Sequence, residues 1–410
     1  MALDIEHIRR QFPILQRQVA GKPIAYLDDA ATSQKPRAVL DAMMRFYEDE
    51  NANVHRGMHP LADSATMAYE NARASVRHFL NAAHDDEIIF TKSSTESINL
   101  VARSYGDTFL QSGDAVLLTI LEHHSNIVPW LQLKERKAID VRWIEIDASG
   151  ELDMQSLHAQ LADGHVKLLS ITGLSNVLGV LPPLRHMIKE AHAHGAVVLV
   201  DASQLAAHSP IDVADLDCDF LTLSGHKVYG PTGIGVLYAK RELLKKMPPF
   251  LGGGSMVTDV SRTAFTAAES PMKFEAGTPP IAEAVGLAAA IEWQKQFNWQ
   301  DRVAREKLLL KIALNELRSI EGLRILGPAD PDTILGSISF VIDGIHPHDL
   351  TEMIGQEGLC LRAGHHCAMP LHTALGIASS TRLSISLHTT EDEIRLVAPA
   401  IREAISILKK

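Results

Sequence analysis

At 410 residues, 46% hydrophobic and 22% charged, the chain is too long for one compact core and suits two domains around one site. With 39 Lys and Arg against 50 Asp and Glu, the formal charge of −11 argues against nucleic acid or an anionic membrane as partner. No apolar run is long enough to span a bilayer, and Met1-Ala2-Leu3-Asp4 lacks the pattern of an export signal. Cys218, Cys360 and Cys367 form no disulfide framework, so a reducing cytoplasm is the expected setting.

In chain order, a short helix is expected at 4–11, packed on the smaller domain. Strands are then expected at 88–91, 116–120, 141–146, 167–172, 197–201, 220–224 and 234–239. Helical patterns lie between them, such as 183–194, stopped by Gly195. Several of these strands are continuous β-branched or Leu runs, as strands covered on both faces are. The alternation predicts an α/β domain with a mostly parallel central sheet. After about residue 280 the order becomes helices at 281–297 and 301–320, a strand at 337–342, a helix at 347–357, a strand at 382–387 and a helix from Glu391. That order predicts a smaller α+β domain, with 22–280 forming the large domain and 1–21 plus 281–410 the small one.

Three strand ends carry complementary chemistry: Asp201 after one buried run, Gly225-His226-Lys227 after the next, and Ser93-Ser94-Thr95 ahead of a helical pattern. A pyridine-ring cofactor needs a lysine for its aldehyde, an acid to keep its ring nitrogen protonated, and a helix start with hydroxyl donors for its phosphate. Taken singly, each has an ordinary reading: a helix cap, an exposed turn, a capping cluster. Together, at the carboxyl ends of strands, they point to pyridoxal 5'-phosphate.

The run Asp201-Ala202-Ser203-Gln204 followed by Ser224-Gly225-His226-Lys227-Val228-Tyr229-Gly230-Pro231 resembles the class V, fold-type I pyridoxal-phosphate enzymes. More narrowly, the chain resembles the SufS/CsdA-type (group II) cysteine desulfurases. Tyr26-Leu27-Asp28-Asp29, Val54-His55-Arg56-Gly57, Glu122-His123-His124, Glu275-Ala276-Gly277-Thr278 and Arg362-Ala363-Gly364-His365-His366-Cys367 extend the likeness over nearly the whole chain. The resemblance implies that Lys227 binds the cofactor aldehyde, Asp201 the ring nitrogen and Gln204 the ring hydroxyl. It implies that His124 stacks on the ring and assists proton transfer, and that Ser94, Thr95, Ser224 and His226 hold the phosphate. Gly277 and Thr278 would reach the cofactor of a second copy in a homodimer. Arg382, Asn176, Arg362 and His55 would bind the substrate, L-cysteine, and Cys367 would carry its sulfur as a persulfide to an acceptor protein of SufE or SufU type, for iron–sulfur cluster assembly.

The cysteine loop also speaks for itself. A thiolate is favoured by nearby cations, here Arg362 and a protonated His365 or His366. Cys360 reads as structural, and Cys218 lies between Asp217 and Asp219, which disfavour a thiolate. His123-His124 and His365-His366-Cys367 could be metal ligands, but no second pair stands at zinc spacing and no metal is expected. The chain departs from the family pattern at His388-Thr389-Thr390, at 375–380 and at Lys92-Ser93-Ser94. Alternatives are a selenocysteine lyase, a cysteine sulfinate desulfinase, a plain aminotransferase, or a non-catalytic sulfur-assembly subunit.

Overall fold

The computed structural model describes residues 3–147, 149–328 and 330–409. Seven strands rich in Val, Leu and Ile form its central sheet. They are β1 (Ile88–Thr91), β2 (Ala115–Thr119), β3 (Asp140–Ile144), β4 (Val166–Thr172), β5 (Val197–Asp201), β6 (Phe220–Ser224) and β7 (Gly235–Ala239), in the order β1-β7-β6-β5-β4-β2-β3. Only β7 runs antiparallel to its neighbours, β1 and β6. Every residue of β1, β2, β6 and β7 is buried, which is why these segments read as unbroken apolar runs instead of alternating. Each strand lies within two residues of its expected bounds. The turns after β1, β2, β4, β5 and β6 consequently open at one edge of the sheet.

A second, antiparallel sheet has the order β8 (Leu323–Leu326), β9 (Ser337–Ile342), β11 (Ser380–Ser384), β10 (Arg362–Gly364). Its register sets Arg362 opposite Arg382. The helices Trp299–Arg318 and Val397–Leu408 share its core through Leu310, Leu314 and Ile401, against Phe340 and Leu383.

Two sequence expectations shift. The helix Ile281–Gln294, assigned to the small domain, buries Ile281, Ala284, Leu287 and Ile291 in the core around the central sheet, with Tyr69 and Val76. An Ala-rich helix buried on most sides has no amphipathic stripe to say which core it joins. The N-terminal helix Ile5–Arg10 packs on both domains. Ile8 and Phe12 meet Tyr229, Trp293 and Leu387, while Arg9 pairs with Glu393. Among the described residues no helix is long and apolar enough to cross a membrane.

One buried ion pair joins the helix Pro60–Leu80 to the segment ahead of Ile281. Arg73, 1% exposed, grips both oxygens of Glu275 at 2.7 and 2.9 Å and also donates to Glu70 and to the Ile88 carbonyl. Arg73→Ala leaves Glu275 buried without its counter-charge. It should remove about 3–5 kcal/mol of stability, read as a lower denaturant midpoint at an unchanged slope.

Candidate active site

The turns at the sheet edge and the β10–β11 end of the small domain enclose a cavity of about 220 Å³. On its floor stand Asp201, at the end of β5, and Lys227, in the turn after β6. Asp201 is buried. Its Oδ1 accepts from the Ser203 hydroxyl at 2.5 Å and from the Ser203 N–H at 3.0 Å. Burial holds the Lys227 ammonium below the ordinary lysine range, with Asp201 opposing and Arg382 adding to the effect. A lysine so placed is more readily the free amine, which is the nucleophilic and proton-accepting form.

Ser93, Ser94, Thr95, Ser224 and His226 line one end of the cavity. The Ser94 N–H donates to Ser224 Oγ at 2.9 Å, and the hydroxyls of Ser94 and Ser203 lie 2.8 Å apart. β7 approaches this turn so closely that a Cβ on Gly235 would stand 2.4 Å from the Ser93 carbonyl carbon, so only glycine fits there. The His226 imidazole is pushed down to about 4 by burial and by Lys227 and Lys35.

His123, not His124, lines the cavity. His124 turns toward the cysteine loop instead: its Nε2 accepts from the Met369 N–H at 3.0 Å, and its own N–H donates to the Cys367 carbonyl at 2.7 Å. Neighbours in a tight turn face different ways, and of this pair only the first faces the cavity. Gln204 likewise stands behind the wall, donating to the Ala30 carbonyl at 2.7 Å, while Ser203 faces the cavity. His55, Gly277 and Thr278 do not reach this cavity. His55 bonds Glu70 at 2.8 Å, the Gly277 N–H bonds the Gly254 carbonyl, and Thr278 lines a separate recess beside Phe250 and Glu275.

The opposite wall carries Asn176, Arg362, His366, Cys367 and Arg382. Arg382 is 1% exposed; it donates to Asp28 Oδ1 at 2.8 Å and to the Asn176 carbonyl at 3.1 Å, and its Nε has no protein partner. Burial pulls the Arg382 guanidinium down and pushes the Asp28 carboxyl up, each opposed by the other's charge. Arg362 has no ion pair among the described residues.

His366 and Cys367 both take left-handed backbone (φ +50° and +56°), which is strained for residues with a Cβ. The Asn176 amide holds the His366 carbonyl at 2.8 Å, and the Ala368 N–H holds that of His365 at the same distance. Burial, then Arg382, pushes the His366 imidazole down to about 2, so it supplies no cation to Cys367 as the sequence had allowed. Arg362 is left as the cation of the loop that shares the cavity with the thiol. Cys218 is buried and its thiol pushed up to about 12 by burial and Asp219, in keeping with a structural role.

An acid, a shielded lysine and a hydroxyl-and-N–H cradle on one cavity fit a pyridine-ring cofactor with a phosphate. Two arginines and a thiol stand on the facing wall. Sequence reasoning gave no cofactor or substrate role to His123, Ser203 or Asp28. Asp28 and His123 lie inside quoted motifs, so position within the motif was the missing signal. Among the described residues no three His, Cys, Asp or Glu side chains converge as a metal site.

The model of the family described as aminotransferase class-V matches residues 25–397. A cysteine desulfurase of Pectobacterium atrosepticum is 47% identical over 400 residues, covering 97% of both chains. One of Dickeya dadantii is 47% identical over 396 residues, covering 96% of this chain and 95% of its own. The crystal structure of the cysteine desulfurase CsdA of Escherichia coli superposes with a TM-score of 0.91 at 38% identity, covering 99% of this chain and 100% of that one.

The depressed histidine has a consequence for stability. The folded protein binds fewer protons at His366 than the unfolded chain does between about pH 2 and the ordinary 6.5. Its contribution is therefore whole above pH 6.5 and is lost as pH falls. His366→Gln should flatten the acid limb of the unfolding free energy by up to about 1.4 kcal/mol per pH unit, measured by urea unfolding at several pH values.

Proposed function

The chain belongs to the aminotransferase class-V family, and from that premise we infer that it is a pyridoxal-phosphate-dependent cysteine desulfurase, moving the sulfur of L-cysteine onto Cys367 and leaving L-alanine. The observation that carries this reading is the thiol of Cys367 on the wall of the cavity that also holds Asp201, Lys227 and Arg382. A plain aminotransferase has no use for it. When bound, the cofactor supplies an electron-withdrawing ring that stabilises charge on the substrate α-carbon.

The chain's own residues do the rest. Arg382 and Arg362, both on the cavity wall, bind the substrate carboxylate, with Asn176 beside them. Asp201 keeps a proton on the ring nitrogen, His123 covers the ring face, and the Ser94, Thr95 and Ser224 cluster takes the phosphate. Lys227 accepts the α-proton, which its shielded amine is suited to do. The Cys367 thiolate forms an S–S bond with the substrate sulfur as the C–S bond breaks. That electron pair stays with the β-carbon, which takes up a proton, and Lys227 returns the α-proton to complete L-alanine.

Cys367, Arg362 and His366 also line a second recess of about 440 Å³, beside the exposed His346 and His348. A sulfur acceptor of SufE or SufU type would approach there, in the cytoplasm, for iron–sulfur cluster assembly as in SufS-type enzymes. The working form is a homodimer. His55 is held in the network His55–Glu70–Arg73–Glu275, and Gly277-Thr278 follow Glu275 in the chain, away from the chain's own cavity. Met58, Leu61 and Met67 stand exposed nearby in sequence. A second copy would bring His55 and Thr278 to the partner's cavity.

Lys227→Ala should lose the yellow absorbance of a lysine-bound cofactor, and an unchanged spectrum overturns the cofactor assignment. Cys367→Ser should keep the colour and lose alanine formation from L-cysteine. Full turnover of L-cysteine by that variant overturns the sulfur-transfer role, and activity confined to cysteine sulfinate or selenocysteine reassigns the substrate. Sedimentation equilibrium is expected to give two chains per particle; a single-chain species overturns the dimer.

A further inference from the structure

Glu122 is wholly buried beside His123, and no step of the sulfur transfer uses it. Its Oε1 accepts from the Thr119 hydroxyl at 2.6 Å and the Thr172 N–H at 2.9 Å, and its Oε2 from the Asn126 amide at 2.6 Å. Asn126, equally buried, accepts from the Ser170 hydroxyl at 2.5 Å and the Trp130 indole N–H at 3.1 Å. Both ends of the turn that carries His123 are thereby tied to β2 and β4. Thr172 is itself paired in register with Asp201.

Within that turn the Ser125 N–H donates to His123 Nδ1 at 3.1 Å. A backbone N–H can only donate, so Nδ1 offers its lone pair and the single ring proton lies on Nε2. The Ser125 hydroxyl, 2.8 Å from the same nitrogen, donates to it in this form, whereas a proton on Nδ1 would face the Ser125 N–H.

We propose that Glu122 is a positioning residue that, through Asn126 and the turn between them, holds His123 as a neutral imidazole with its proton on Nε2. His123 then offers the cavity a ring face and one N–H donor, and it is not the imidazolium that would shuttle protons. Only the identity of what it faces rests on the desulfurase reading. The charges around His123 act the same way: burial, Lys227, His124, Arg362 and Arg382 together push it down to about 3. Burial pushes the Glu122 carboxyl up to about 8, with Asp201 adding to the shift, so it carries a proton at neutral pH. The Thr119 hydroxyl can turn from donor to acceptor and keep that bond.

The test is nitrogen NMR of the holoenzyme labelled with ¹⁵N-histidine, the His123 signal being the one lost in His123→Asn. It should report the Nε2–H tautomer and stay constant from about pH 5.5 to about 7, below the titration of Glu122. Glu122→Gln must set an amide N–H against either the Asn126 or the Thr172 donor. It should turn the signal into a tautomer mixture that titrates, while the cofactor absorbance persists. Trp130→Phe removes one bond of the same network and keeps a ring in the core. It should move the signal the same way by less, and it serves as the test where Glu122→Gln does not fold. A wild-type His123 that titrates in this range or carries its proton on Nδ1 overturns the proposal, as does an unmoved signal in the variants. None of these outcomes depends on sulfur transfer, so they separate from any failure of the desulfurase assay.

Discussion

Arg382 carries its positive charge at 1% exposure, and the site is built around the need to satisfy it. An ion taken from water costs several kcal/mol unless geometry and counter-charge repay it. The Asp28 carboxylate comes from the segment after the short strand Ala25–Tyr26, the Asn176 carbonyl from the loop after β4, and the guanidinium from β11. One charge thus joins the N-terminal segment, the large domain and the small domain at a single point. The same guanidinium also lines the cavity, so the group that joins these segments lends the cavity wall its positive charge.

That constraint sets the character of the whole cavity. Lys227, Arg362 and Arg382 stand against Asp201 and the already engaged Asp28, in a protein whose formal charge is −11. The local excess of donors and cations suits an anionic amino acid and a phosphate. His123, His226 and His366 are all pushed well below their ordinary range, by burial first and by these cations after. They enter as neutral hydrogen-bonding rings, so the site's positive charge resides in two arginines that do not titrate near neutrality and in one lysine that does so more easily than usual.

Much of this was legible because a parallel sheet turns chain order into position. Asp201, Lys227, Ser94 and Asn176 follow different strands, and parallel running delivers them to one edge. The strands themselves were readable since burial on both faces demands continuous apolar sequence. What lay beyond the sequence is what periodicity does not encode. His123 and His124 are indistinguishable by type, and only the turn's geometry sends one inward and the other to the Met369 N–H. Ser203 and Gln204 part for the same reason. The helix Ile281–Gln294 was assigned to the wrong core because an apolar surface on most sides names no partner.

Cys367 shows how backbone strain and placement work together. Two successive left-handed residues, each strained by its Cβ, set the loop so that Cys367 lies between the inner cavity and the outer recess. The strain is held by bonds that converge on the loop's carbonyls: Asn176 on His366, the His124 N–H on Cys367 and the Ala368 N–H on His365. His124 is therefore tied to the loop at two points, through its backbone and through its ring, one residue from the His123 that faces the cavity. The short turn Glu122–Asn126 thereby couples one wall of the cavity to the position of the Cys367 loop. A shift of the cysteine loop that broke those two bonds would reach His123 through a single peptide unit.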